Sequence, residues 1–294
     1  MQFVILCGGL GSRAQSFSKG KPKSMIEFKG KPFIDYSISN LISQGISRFV
    51  LCVGKGGESI VEYCEKHFAT VGELARKLDV RLSMHPGQFT VLASDNPDIV
   101  NRSIEEFEYH VDVARWMGYG RQYQDFKINV HIAGRKGPAG ILDAYPRLSP
   151  EARNTITIEN DEMSWGIEAS LELRDKLALV LDIHHHWVKT GEYIQPTDDR
   201  FSRIIDSWRG VRPVIHYSVS REDLLVGHDE NTLPNMEELL EQGFKKAKLR
   251  AHSDYMWNNA VNDWALSFRE FADIMVESKA KNLASIKLLE HKSR

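Results

Sequence analysis

Histidine, aspartate and glutamate stand at the ends of six short apolar segments of this sequence. In chain order they are His85, His131, Glu159, Asp182, His216 and Glu277. Imidazole nitrogens and carboxylate oxygens are common protein ligands of divalent metals. A single histidine after such a segment is more often a hydrogen-bonded core or surface residue than a ligand. Six consecutive segments that end in this way therefore indicate a metal cluster.

These candidate ligands outnumber the needs of one ion, because a catalytic zinc ion takes about three protein ligands. We therefore expect two or three ions, with Glu159 or Asp182 bridging them. Two neighbouring ions can hold a hydroxide nucleophile and neutralise a phosphate that undergoes in-line attack. We predict that catalysis depends most on Glu159, Asp182 and His216. A second interpretation keeps the metals but gives them a sugar or another small substrate.

The elements that position these residues alternate between buried strands and amphipathic helices. Continuously apolar runs predict parallel strands at 3–7, 48–53, 80–85, 126–131, 155–159, 178–183, 213–217 and 272–277. Helical patterns lie at 34–44, 59–77, 98–117, 168–176, 236–248 and 279–290. This order predicts an α/β fold of the TIM-like (β/α)8 barrel type, in which the carboxyl ends of all strands meet at one mouth. A doubly wound open sheet is the alternative.

The composition is that of a globular protein. The chain has 294 residues, of which 42% are hydrophobic and 27% are charged, and its formal net charge is -2. These values exclude disorder and collagen, and they confine any nucleic-acid site to a local patch. No run of eighteen apolar residues is present, so we expect no membrane span. Three cysteines and the lack of an export signal predict a cytoplasmic protein.

Seven segments, taken in order, carry a family resemblance over residues 66–294. They are RLSMHPGQF, INVHIAG, ITIENDE, LVLDIHHHW, VIHYS, AHSDYM and DIMVESKAK. Together they resemble the UV-damage endonucleases, DNA-repair barrels related to endonuclease IV. The resemblance implies cleavage of the phosphodiester 5′ to a UV photoproduct in double-stranded DNA. It also implies a cluster of two or three divalent ions, with manganese expected first and magnesium or zinc as alternatives. It does not imply an obligate protein partner.

The resemblance also implies roles for individual residues. The metal ligands would be His85, His131, Glu159, Asp182, His185, His216, His252 and Glu277. Gln88 and Phe89 stand where the family places a pair that probes the damaged duplex, since an amide and an aromatic ring can fill the gap left by extruded bases. The family's lysine two residues before the strand-seven histidine is replaced here by Val214.

A basic run precedes His252 and includes Lys246 and Lys248. It is predicted to hold the DNA backbone near the metals. The alternative is the charged, solvated face of a helix.

Residues 1–65 resemble the opening of sugar-1-phosphate nucleotidyltransferases, which would make the chain a chimera. The resemblance rests on a glycine-rich loop with basic residues, whose phosphate-binding candidates are Gly8, Gly9, Gly11, Arg13 and Lys23. We expect this Rossmann-like βαβα segment to supply the first two βα units of the barrel, in one structural domain with residues 66–294. The alternatives are a nucleotidyltransferase or nucleotide-binding module in this segment, a solvated basic loop, or an inactive fusion.

Overall fold

The computed structural model of the chain describes residues 2–7, 21–44, 48–52, 57–87 and 89–291. The chain divides into two compact units. The first comprises Met1–Val80 with Trp116–Gly118, and the second comprises Arg81–Arg115 with Tyr119–Arg294. The predicted division into segments 1–65 and 66–294 stays a prediction.

The described residues of the first unit form a parallel pair of strands, a short hairpin and two α-helices. Strands β1 (Gln2–Leu6) and β4 (Arg48–Cys52) pair in parallel, and a short antiparallel hairpin joins β2 (Glu27–Phe28) to β3 (Lys31–Pro32). The helices are α1 (Phe33–Ser43) and α2 (Glu58–Lys77). Its core consists of Cys7, Met25, Ile34 and Ile60. Ile34 lies on α1 and Ile60 lies on α2, so each helix contributes one residue to this core.

The second unit is built on one parallel sheet of six strands in chain order. They are β5 (Ser83–Met84), β6 (Lys127–His131), β7 (Ile156–Glu159), β8 (Ala178–Asp182), β9 (Val214–Tyr217) and β10 (Asp273–Val276). All residues of β7, β8 and β9 are buried. Burial on both faces explains why these strands are continuously apolar rather than alternating. Sequential parallel order is the arrangement of a half-barrel.

Helices connect these strands. They are α3 (Pro97–Trp116), α4 (Gly137–Ala144), α5 (Pro150–Thr155), α6 (Ile167–Leu171), α7 (Ile183–Thr190), α8 (Asp199–Ser207), α9 (Met236–Glu241), α10 (Lys246–Leu249), α11 (Asn259–Leu266) and α12 (Asn282–Leu289). Short 3-10 turns cover Lys23–Met25, Tyr145–Arg147, Glu222–Leu224 and Ser267–Glu270. Among the described residues, no helix is long and apolar enough to cross a membrane.

The single helix predicted at 236–248 is wrong, because the segment forms two helices, α9 and α10. The break lies at Gly243, whose φ is +90°. This left-handed conformation is open to glycine and ends a helix. The amide of Phe244 donates to the carbonyl of Leu239 at 3.0 Å, as in a Schellman cap.

All eight predicted strands are present. Six of them form the half-barrel sheet, while β1 and β4 pair with each other. The supply of two barrel units by the first segment, and closure of eight strands into one ring, stay predictions. The six parallel strands in chain order form a half-barrel of the TIM-like type.

Candidate metal centre

The carboxyl edge of the six-stranded sheet gathers the predicted ligands. In the ladder His131 pairs with Glu159, and Asp182 pairs with His216. Alternate residues of a strand point to the same side of a sheet, so paired residues share a face. The side chain of Glu159 is completely buried at the centre of this group.

A first set of possible ligands consists of Glu159, Asp182 and His216, whose ligand atoms all lie within 4.8 Å of one another. His216 Nδ1 lies 3.2 Å from Glu159 Oε1 and 2.9 Å from Glu277 Oε1. Among the described residues, Glu159 Oε1, Asp182 Oδ2 and His216 Nδ1 are buried without a partner in hydrogen-bonding geometry. An unpaired buried polar atom costs about 1–3 kcal/mol. Three buried residues whose ligand atoms lie this close together are suited to bind one divalent cation.

A second set consists of His85, His131 and Glu159. Oε2 of Glu159 lies 3.5 Å from His85 Nε2 and 3.8 Å from His131 Nε2. The amide of Asn129 donates to the same oxygen, and Asn129 in turn accepts from Thr157 Oγ1 at 2.8 Å. Glu159 thus offers one oxygen to each set, which is the geometry of a bridging carboxylate.

The spacing Asp182-x-x-His185 follows from the turn between β8 and α7. Asp182 is the N-cap of α7, and its Oδ1 accepts the backbone N–H of His185 at 2.6 Å. Capping brings a side chain to the residue three positions later, so both groups lie on one turn. His185 Nδ1 donates to the carbonyl of Asn160 at 3.0 Å. In the neutral ring, this leaves Nε2 as the nitrogen that can bind a metal.

A third set was missed by the sequence reasoning, since it includes Glu162 together with His131 and His185. Glu162 Oε2 lies 3.7 Å from His185 Nε2. The available signal was the position of Glu162 in the loop directly after Glu159, at the same edge of the sheet. Loops at this edge are where barrel enzymes place functional residues.

Glu277 and His252 occupy the side of the group next to β9 and β10. The backbone N–H of Glu277 donates to the carbonyl of Tyr217 at 2.7 Å, which extends the ladder by one residue. His252 Nδ1 lies 3.9 Å from Glu277 Oε2. In the part of the chain that the structure describes, His252 joins none of the three sets.

Histidines His131, His185 and His216 hold protons more tightly than free imidazole. Burial lowers each pKa, but nearby carboxylates outweigh it, and the pKa of each rises to about 9. Glu159 is the main attracting group for His131 and His216, and Asp182 is the main one for His185. Without metal, the histidine protons take the place of the cation.

The pKa values of the buried carboxylates are shifted in opposite directions. Burial raises the pKa of Asp182 to about 7. Burial would also raise the pKa of Glu159 and Glu277, but His216 reverses this and holds the first well below its usual range and the second at about 2. Glu159 and Glu277 are therefore ionised at neutral pH.

Metal binding is expected to release protons and to tighten as pH rises towards about 9. Each ligand histidine must be neutral to bind, and in the metal-free chain its pKa is about 9. The affinity should rise up to about tenfold per pH unit for each proton displaced. Titration calorimetry with Mn²⁺ in buffers of different ionisation enthalpy measures the proton count. A count of zero at pH 7 would contradict protonated histidines at this site.

Lys127 is a further residue that the ligand pattern did not reveal. Its Nζ lies 2.8 Å from His216 Nε2, and burial lowers the pKa of Lys127 to about 8. Lys127 lies two positions before Asn129 on β6, so the strand period places it on the same face. Together with Val214 it lines a cavity of about 230 Å³. An ammonium group therefore reaches the ligand histidine from another strand.

Two histidines of the His184-His185-His186 run have other surroundings. His186 Nε2 lies 3.0 Å from Glu192 Oε2. His184 stacks on Trp187, and burial lowers its pKa well below the usual range. Neither belongs to the three sets found among the described residues.

The structure describes some of the residues that are predicted to contact DNA or phosphate. Phe89 is 84% exposed, so it does not cap the interior of the barrel. Lys248 is exposed, whereas Lys246 is partly buried and its Nζ donates to the carbonyl of Lys189 at 2.6 Å. Lys23 is exposed on a 3-10 turn. The remaining predicted residues, Gln88, Gly8, Gly9, Gly11 and Arg13, lie outside the described residues.

The carboxyl edge of these parallel strands carries buried histidines and carboxylates that could hold a metal ion. Two solved structures share this fold. "Crystal Structure of SacUVDE" gives a TM-score of 0.60 at 20% identity, and endonuclease IV from Thermus thermophilus gives 0.53 at 12% identity. Each match covers 98% of this chain and 96% of the other.

The chain belongs to the UV-endonuclease UvdE family, whose model matches residues 42–294. It is 30% identical over 241 residues to the UV-damage endonuclease of Schizosaccharomyces pombe and 27% identical over 249 residues to the UV DNA damage endonuclease of Bacillus velezensis. These matches cover 78% and 79% of this chain, but 36% and 66% of the relatives. The nucleotidyl transferase family model matches residues 2–75 and overlaps the first match.

Proposed function

We propose that this chain is a metal-dependent DNA-repair endonuclease that incises the phosphodiester 5′ to UV photoproducts in double-stranded DNA. The observation that carries the proposal is the meeting of Glu159 Oε1, Asp182 Oδ2 and His216 Nδ1 as buried, unpaired ligand atoms. Membership of the UvdE family and the names of the relatives supply the substrate. The direct test is incision of a UV-irradiated duplex by the metal-loaded chain, mapped to the nucleotide.

Some residues at the carboxyl edge would bind the metal ions, and others would orient the ligand side chains. Glu159 would be a metal ligand, and Asn129, which donates to its carboxylate, would fix its orientation. Bound divalent ions supply a hydroxide nucleophile and neutralise the charge that develops on the phosphate. Asp182 and His185 hold their ion from one helical turn, while Lys127 positions the ring of His216.

The ligand set supports a cluster of two or three ions. His85, His131, His185, His216, His252, Glu159, Asp182 and Glu277 would hold them. Imidazole suits zinc and iron, and carboxylate suits magnesium and manganese. We propose manganese as the working metal, with magnesium or zinc as the alternatives, and activity measured with each metal after stripping decides among them.

Phe89 is proposed to probe the damaged duplex, together with Gln88. We expect Phe89→Ala to weaken incision of damaged DNA about 5- to 150-fold, because an aromatic stack on a base contributes roughly 1–3 kcal/mol. The metal count and the melting temperature should not change, since the ring is 84% exposed. The matched control is Phe28→Ala, which removes another exposed phenylalanine. Equal incision by both variants would contradict the proposed role.

Backbone binding is assigned to Lys246 and Lys248, which lie near the loop that carries His252. Each phosphate contact should contribute about 0.9 to the slope of log affinity against log salt.

Nucleotide binding by the first unit is a second candidate function. It is favoured by the match of residues 2–75 to nucleotidyl transferases and by the parallel pairing of β1 with β4. Gly8, Gly9, Gly11, Arg13 and Lys23 would bind the phosphates. Calorimetry of the full chain with a nucleoside triphosphate tests this, and the absence of binding would remove it.

A further inference from the structure

We propose that Glu162 is a metal ligand, which holds an outer ion of the cluster jointly with His185, and that the charge of Arg250 weakens the binding of this ion. This inference rests on the proposed metal-dependent function. It adds to the ligands implied by the family resemblance a residue that those motifs did not single out.

The first support is the direction in which His185 presents its free nitrogen. Its Nδ1 donates to the carbonyl of Asn160, so in the neutral ring Nε2 is the nitrogen that can bind a metal. That atom lies 3.7 Å from Glu162 Oε2 and 3.7 Å from Asp182 Oδ2. Two ligands on one ion, each bonded at about 2.0–2.2 Å, lie roughly 3–4 Å apart. A cation between His185 and Glu162 therefore needs little movement of either side chain.

The second support is the fixed position of the loop that carries Glu162. The neighbouring Asp161 accepts from the backbone N–H of Met163 at 2.8 Å and from that of Ser164 at 2.6 Å. The same aspartate lies 3.5 Å from His131 Nδ1 through its other oxygen. A carboxylate on one ring nitrogen of a histidine orients the opposite nitrogen as a ligand. Asp161 thus orients the ring of His131 and also fixes the backbone of the loop that carries Glu162.

The third support is the division of the Glu162 carboxylate between two partners. The side chain is only 10% exposed, and Oε1 accepts from Arg250 Nη1 at 3.0 Å, while Oε2 faces His185. One oxygen therefore remains for a metal while the other holds the arginine. Arg250 is 51% exposed and belongs to the basic run before His252. The positive charge of Arg250 would lie beside the outer ion and repel it.

The test counts Mn²⁺ bound to the full chain by equilibrium dialysis and measures each affinity by titration calorimetry. Glu162→Gln should bind one ion fewer than the wild type at a free Mn²⁺ concentration that fills the wild type. The affinity for that ion should fall at least about tenfold, as for loss of a residue that orients a metal ligand. Glu168→Gln is the matched control, because Glu168 also pairs with an arginine but is 73% exposed and outside the site.

Arg250→Gln should change the affinity for the outer ion in the opposite direction. Removing the competing charge should leave the full count and tighten the outer ion about two- to five-fold, the range of a partly exposed ion pair. A Glu162→Gln chain with the count and affinities of the wild type overturns the inference alone. Loss of every ion from a folded Glu162→Gln chain also overturns it, because the ligand would not be an outer one. A wild-type chain that binds no Mn²⁺ overturns the proposed metal-dependent function instead.

Discussion

Glu159→Gln is expected to abolish metal-dependent incision, with a loss of roughly 100-fold or more. The substitution keeps the size of the side chain and removes the charge that two sets of ligands share. One amide oxygen can still accept from Asn129, so the fold should persist. The bound Mn²⁺ count should fall, and both readouts are taken from the same preparation by elemental analysis and a nicking assay on UV-irradiated duplex.

Glu105→Gln is the control for this change, since Glu105 is an exposed glutamate on α3. It should keep both the metal count and the activity of the wild type. Full activity in Glu159→Gln would show that the carboxylate does not bridge the ions. Loss of activity with an unchanged metal count would assign Glu159 a role other than holding metal.

Removal of the metals is expected to stop incision completely and to destabilise the fold. Chelation removes the cation that the buried residues Glu159, Asp182 and His216 would share. A ligand present at 100 times its dissociation constant stabilises the native state by about 2.7 kcal/mol, so the melting temperature should fall by several degrees when the metal is removed. Differential scanning calorimetry before chelation, after chelation and after Mn²⁺ addition measures the change.

Recovery of both activity and melting temperature on adding Mn²⁺ is part of this expectation. Incision that continues in excess chelator, with no metal detected, would contradict a metal-dependent mechanism. A melting temperature that does not respond to metal would indicate that the ligand atoms find other partners in solution.

The strands of the second unit could be predicted because burial on both faces leaves a continuous apolar signal. The predicted run 178–183 corresponds to β8, and 213–217 corresponds to β9, each within one residue. The predicted strand 80–85 shortened to Ser83–Met84, because β5 lies at the edge of the sheet and its residues are not fully buried. The helix at 236–248 failed because the backbone turn at Gly243 outweighs the helical pattern around it.

The ligand residues at strand ends could be recognised because position alone brings them to one edge. Lys127 could not be recognised in this way, since it stands at the start of β6 and reaches His216 across the interior. Glu162 was hidden for another reason, because its place in the third set depends on the loop geometry that Asp161 establishes. Contacts between distant elements of this kind leave no periodic signal in the sequence.

The central claim is that the carboxyl edge of this sheet holds a working metal cluster for DNA incision. The most direct measurement is the metal content of the purified full chain, together with nucleotide-resolution mapping of its product on a UV-irradiated duplex in Mn²⁺. The account predicts two or three ions per chain and a nick immediately 5′ to the photoproduct. A chain that binds no ion and leaves the duplex intact would contradict it.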